Sequence, residues 1–134
     1  MKLAFVTDDE QTISRHFGRA PYYLVVTIEE GQVTERERRA KANHGQFAHG
    51  AHDHDHGDPH AGHGHEPEAQ GRHAQMAAAI TDCQTVICGG MGNGAYLSLR
   101  ERGLQPIVTD ETSIDKAIDI YLKGGLVNRI DRLH

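Results

Sequence analysis

The apolar positions of this chain change their spacing several times, and each change marks a new element. Residues 2 to 7, KLAFVT, are apolar at consecutive positions, as expected of a central strand covered on both faces. YYLVVTI, residues 22 to 28, predicts a second strand. After the turn EEGQ, the alternation in VTERERR (33 to 39) leaves charges on both faces, which predicts a hairpin partner at a sheet edge, where charge discourages further pairing. RHAQMAAAI (72 to 80) predicts a short Ala-rich helix and QTVIC (84 to 88) a fourth strand. Beyond GGMGNG, a helix is predicted from about Ala95 to Arg102, with Asn93 as N-cap and Gly103 as terminator. QPIVT (105 to 109) is the last predicted strand. In the final helix Thr112 and Asp115 form a capping box, Ile114, Ala117, Ile118, Tyr121 and Leu122 share one face, and Gly124 ends it.

This order predicts an α/β fold. Strand–helix–strand crossovers are right-handed and make parallel neighbours, whereas the first three strands form a meander. Both conditions are met with strand 1 in the centre, the hairpin on one side and the last two strands on the other, in the order 3-2-1-4-5. Strands 1 and 4 are then adjacent and parallel, and the chain leaves them in opposite directions. Such a switch point is where α/β sheets bind ligands, outside the carboxyl ends of the strands.

Between about residues 40 and 71 the pattern stops. Phe47 is the only large apolar side chain there, and Gly, His, Asp, Pro and Glu dominate. A segment of this composition cannot offset its ordering entropy by burial, so we expect a disordered insert in a single domain spanning residues 1–134. Its core reads HGAHDHDHGDPHAGHGH. The alternation at His52, His54, His56 and at His63, His65, with His49 and His60 nearby, lets a flexible chain bring several imidazoles around one Zn, Ni or Cu ion. Asp53, Asp55 and Asp58 add negative charge. The alternative is a solvated low-complexity linker. Because the insert follows the edge hairpin, it is expected to be independent of the switch point.

Length and charge narrow the function further. At 134 residues the chain holds one domain. A net charge of −5 and the lack of a long basic block argue against nucleic-acid and anionic-membrane partners. No apolar run is long enough to span a bilayer, and MKLAFVTDDE turns acidic before a signal-peptide core could form, so a cytoplasmic protein is expected. Cys83 and Cys88 are five residues apart across the fourth strand, which predicts two reduced thiols on opposite faces, beyond disulfide reach.

Two loops meet at the predicted switch point. DDEQTISRHFGRA follows strand 1, and CGGMGNGA follows strand 4 and opens a helix. Glycine lets backbone approach a ligand, and helix N-terminal amides attract anions, so Gly89, Gly90, Met91, Gly92, Asn93 and Gly94 form a candidate anion cradle. The alternatives are a tight strand-to-helix turn requiring positive φ, or a dinucleotide or phosphate loop with Asp110 at the position of a ribose-binding acid. The second of these would make the chain a small nucleotide-binding enzyme or regulator. His16 in the partner loop is a candidate hydrogen-bond donor or ligand, and Cys88 a candidate soft ligand. Asp8 and Asp9 end strand 1 where two-metal nucleases place carboxylates, but strand 4 ends in Cys-Gly-Gly and supplies no second acid.

The stretches MKLAFVTDD, SRHFGRAPYYLVV, DCQTVICGGMGNGA and RERGLQPIVTDETSIDKAIDIYLKG together resemble the dinitrogenase iron-molybdenum cofactor biosynthesis family. The resemblance covers nearly all the chain outside the insert and the tail. It implies a ribonuclease H-like three-layer fold and a role in binding or carrying metal-sulfur cofactor precursors; together with the anion cradle this leads us to expect a non-catalytic carrier of a metal-sulfur or metal-oxo cofactor precursor, molybdenum- or iron-containing, with a cofactor-receiving protein as its partner. It places the site on His16, Phe17, Gly18 and Gly89 to Gly94, with the His-rich insert as an addition to the family's minimal pattern.

Overall fold

The computed structural model describes residues 1–41 and 74–133. Five strands form one sheet: β1 (Lys2–Thr7), β2 (Tyr22–Glu29), β3 (Gln32–Ala40), β4 (Thr85–Cys88) and β5 (Gln105–Val108), in the order β3-β2-β1-β4-β5. β1 is antiparallel to β2 and parallel to β4, and β4 is parallel to β5. Residues 74–78 form a helical stretch, α1, followed by α2 (Asn93–Glu101), α3 (Ile114–Leu122) and a 3-10 turn at Ile130–Arg132. This is the order and fold class expected from the pattern. The His-rich residues His49, His52, His54, His56, His60, His63 and His65 lie outside the described residues.

The consecutive apolar positions of the central strands divide by side-chain parity between two cores. Ala4 and Val6 of β1, Tyr23 and Val25 of β2, and Val86 and Cys88 of β4 face Met76, Ala77 and Ile80 together with Tyr96 and Leu99 of α2. Leu3, Phe5, Leu24, Val26 and Ile87 face the other way, onto Ile114, Ala117 and Ile118 of α3 and Ile13. The period of two along each strand therefore gives a helical layer on each side of the sheet.

Both edges are managed. β3 is exposed along almost its whole length, and its charges engage neighbours: Arg36 pairs with Asp115 at 2.7 Å, and Arg39 pairs with Asp82 at 2.7 Å while donating to the Ala79 carbonyl. The β5 edge is covered by the tail, where the Arg129 amide donates to the Val108 carbonyl at 2.7 Å and the Val108 amide to the Asn128 side chain.

Local signals account for most boundaries. Glu30 and Gly31, with φ of 54° and 76°, form the hairpin turn in the left-handed conformation that suits the strand twist. Gly103 and Gly124, at +87° and +79°, stand just past the ends of α2 and α3 as predicted. Two caps differ from expectation. α2 begins at Asn93 with Gly92 as N-cap, so Asn93 lies inside the helix. α3 is capped by Ser113, whose hydroxyl accepts from the Lys116 amide, and not by Thr112. Thr112 is held instead by its carbonyl, which accepts from the Ile13 amide at 2.8 Å. Cys83 also corrects the reading of opposite faces. It precedes β4 in a turn, so strand alternation does not reach it, and both free, buried thiols lie in the same core.

Candidate functional site

The loop after β1 is organised from within. The Thr7 hydroxyl donates to the Thr12 carbonyl at 2.6 Å and accepts from the Asp9 and Glu10 amides. The Asp9 carboxylate turns back into the loop and accepts the Gln11 and Thr12 amides at 2.9 and 2.8 Å. The Thr12 and Gln11 amides hold this carboxyl down at about 2. Asp9 is thus committed to building the turn. Next, the Ser14 amide returns to the Val6 carbonyl, and the His16 carbonyl accepts from the Arg19 and Ala20 amides, closing a tight turn around the H-F-G triplet.

This loop and the Gly-rich loop after β4 are joined backbone to backbone. The Gly89 amide donates to the Ser14 carbonyl at 2.7 Å, and the Phe17 amide to the Gly90 carbonyl at 3.2 Å. A Cβ on Gly90 would stand 2.6 Å from the Arg15 carbonyl oxygen, and one on Gly89 would come within 3.0 Å of the Arg15 side chain. Close approach to the neighbouring loop therefore explains these two glycines. None of the residues from Gly89 to Gly94 is among those with positive φ, so the turn does not depend on left-handed backbone.

The predicted site residues divide by exposure. His16, Asn93 and Gly94 are exposed, and Gly18 and Gly92 are half-buried. Phe17, Met91 and Cys88 point into the core below them. The Cys88 thiol donates to the Gly90 carbonyl at 3.5 Å, and burial pushes it up to about 12. Beyond this floor α2 starts without a side-chain cap and with no acid in its first turn, which leaves the first amides of the helix without a side-chain partner. Asp110, the candidate ribose acid, is ion-paired with Arg129.

The sequence reading missed Lys41. Its ammonium is buried, donates to the Ala20 carbonyl at 3.2 Å and lies 4.7 Å from the centre of the Phe17 ring. Because Thr7 pairs with Tyr22 and Tyr22 with Ala40, the end of β3 lies at the same end of the sheet as the end of β1. The insert therefore departs beside the H-F-G turn, and the expected independence from the switch point does not hold at its root. Following strand direction along the hairpin would have revealed this; sheet order alone did not.

A cleft of about 560 Å³ lies one strand further along, lined by Thr109, Glu111, Thr112, Gly125, Leu126 and Arg129 among others. Among the described residues, no group of three His, Cys, Asp or Glu side chains gathers to hold a metal ion. The donors at the loop junction are amides, the His16 imidazole and the Arg15 side chain, a set that fits an anion better than a bare cation. Among the described residues, no helix is long and apolar enough to cross a membrane.

Comparisons with known proteins agree with this architecture. An uncharacterized protein of Methanocaldococcus jannaschii is 26% identical over 127 residues, covering 94% of this chain and 89% of its own. The apo form of the orange protein from Desulfovibrio gigas is 16% identical, with a TM-score of 0.64 over 96% of this chain and 92% of that one. A crystal structure from Methanocaldococcus jannaschii is 15% identical, with a TM-score of 0.61 over 97% and 95%. At these identities the two solved structures establish the shared fold. The family model described as dinitrogenase iron-molybdenum cofactor matches residues 1–124, both flanks of the insert included, and the chain belongs to that family.

Proposed function

We propose that the domain is a non-catalytic carrier that holds an anionic metal-sulfur or metal-oxo cofactor precursor at the junction of the His16 and Gly92 loops and passes it to a receiving protein. The observation that supports this reading is the double backbone link between Ser14–Phe17 and Gly89–Gly90, which joins the loop of exposed His16 to the loop that leads into the uncapped start of α2. In this reading the α2 amides bind the anionic oxygen or sulfur atoms of the cargo, and the His16 imidazole donates a hydrogen bond or ligates a metal of the cluster. Phe17 and Met91, buried below, keep the floor apolar and exclude water.

The His-rich insert is read as a separate collector of Zn, Ni or Cu, using His49, His52, His54, His56, His60, His63 and His65. A cytoplasmic setting, where both thiols stay reduced, belongs to the same proposal. Anaerobic purification followed by elemental analysis and visible spectroscopy tests it. Charge-transfer bands together with molybdenum or iron in the protein are expected. A colourless protein that takes up no thiometallate and is thermally stabilised by nucleotides would sink the carrier reading.

A further inference from the structure

We infer that Asn128 is a positioning residue for the cargo site: its side chain ties the end of β5 to the first turn of α2, and the tail that carries it holds the start of that helix in place. The inference rests on the start of α2 being part of the cargo site and names what fixes it there.

The tail crosses the β5 edge from one face of the sheet to the other. Leu126 packs against the core on the α3 side, and Leu133 against the core that contains Tyr96 and Leu99. Between them the chain meets β5 at Val108, where the Arg129 amide donates to the Val108 carbonyl and the Val108 amide donates to Asn128 Oδ1 at 2.9 Å. Protection of the edge does not account for this contact. The Gln105 and Thr109 amides donate to the Gln84 and Cys88 carbonyls, both at 2.9 Å, so strand alternation turns Pro106 and Val108 outward. Proline has no amide to offer, and the edge is already a poor acceptor of another strand without the tail.

What Asn128 adds is a second contact. The Val108 amide can only donate, which fixes Oδ1 on Val108 and leaves Nδ2 for another partner. Nδ2 donates to the Tyr96 hydroxyl at 3.1 Å. Tyr96 stands in the first turn of α2, and its side chain is buried. Its amide closes that turn by donating to the carbonyl of Gly92, the N-cap, at 3.1 Å. One side chain thus connects the end of β5, the tail and the turn that holds the first amides of the helix. Because α2 lacks a side-chain cap, the Tyr96 side chain anchors its first turn, through packing and through this bond, without occupying those amides. Binding groups held in place before a ligand arrives lose less freedom when it binds, so the anchor should tighten cargo binding.

The test uses the full-length chain, with tetrathiomolybdate and molybdate as probes. Tyr96→Phe removes the bond to Asn128 and keeps the ring, while Asn128→Ala removes both contacts of the side chain. Each variant should bind tetrathiomolybdate about three- to tenfold more weakly, and the double variant no more weakly than Asn128→Ala alone. Amide exchange separates positioning from general stability, because the β1 amides report global unfolding and the amide of residue 96 reports opening of the helix start. In Tyr96→Phe, exchange at residue 96 should rise by a larger factor than exchange in β1. Wild-type affinity in either variant, or equal factors at residue 96 and in β1, would overturn the role of Asn128 and leave the carrier reading standing. Failure of wild type to take up either anion, with exchange at residue 96 still rising ahead of β1, would overturn the carrier reading and keep the link between Asn128 and α2.

Discussion

The carbonyl oxygen of Arg15 and residue 90 are so close that a Cβ at position 90 would stand 2.6 Å from it. The two loops at the switch point are thus in backbone contact, and a glycine is what permits it. Gly90→Ala must push the loops apart, lengthening the bonds from Phe17 to Gly90 and from Gly89 to Ser14. A loss of about 1–3 kcal/mol is expected, read as a lower denaturation midpoint at unchanged m-value. A variant as stable as wild type would show that the contact relaxes freely.

His16 separates stability from binding. Its side chain is exposed, and the turn uses only its backbone. His16→Ala should therefore change unfolding free energy by less than about 0.5 kcal/mol while lowering thiometallate retention. Unchanged retention would remove the imidazole from the site.

Deleting residues 44–65 should leave the domain folded. The two chain segments flanking the insert are already tied to each other by Arg39 to Asp82 and Ala79, and Tyr23 holds Met76. Divalent-metal binding should be lost with the insert. In the full chain that binding should weaken as pH falls through about 6.5, where imidazoles protonate. Calorimetric titration with zinc at pH 7.5 and 5 tests this, and equal affinity at both would point to carboxylates as the ligands. Anion binding should survive the deletion, because the H-F-G and Gly-rich loops both lie outside residues 44–65.

The thiols make stability fall at high pH. Burial raises Cys83 to about 11 and Cys88 to about 12, from an ordinary value of 9.0. Above pH 9 the unfolded chain releases these protons and the folded chain keeps them, so the contribution is fully present below 9 and declines as pH rises toward the folded values. Chemical denaturation between pH 8 and 10.5 should show this decline, flattened in a Cys83→Ala, Cys88→Ala double variant. Lys41 acts in the opposite sense, since its lowered value makes the unfolded chain bind the extra proton above about 8. The thiol effect is therefore cleanest when measured in the Lys41→Met background.

Much of this was readable because strand periodicity and chain order are local. KLAFVT and TVIC announce buried strands, and the crossover rule then permits a single order around β1. What escaped depended on contacts between distant segments. Thr112 and Ser113 are both competent caps, and the choice is made by Ile13, a hundred residues earlier in the chain, which takes the Thr112 carbonyl. Gly89 and Gly90 look like a ligand cradle until the Arg15 backbone is seen beside them. Lys41 closes a run of surface arginines, and nothing in its neighbours shows that its ammonium turns inward beneath Phe17. The pairing of the H-F-G turn with the Gly-rich turn was legible, because both loops follow strands that the topology makes adjacent.

The exposed β3 edge carries one further consequence, for how copies of this domain can meet. Its register places Arg36 and Arg38 beside Val26 and Leu24 on the α3 face, and Glu35 and Glu37 beside Thr27 and Val25 on the other. If two copies joined edge to edge, the two-fold axis would stand perpendicular to the sheet and each side chain would stay on its own face. The register centred on residue 36 then sets Arg36 against its own copy and Glu35 against Glu37, each such like-charge pair opposing association by about 0.2–1 kcal/mol, whereas the register centred on residue 38 sets Glu37 opposite Arg39. The like charges at the middle of this strand therefore disfavour the register centred on Arg36, so a copy of the domain cannot add to the edge there without setting like charges face to face.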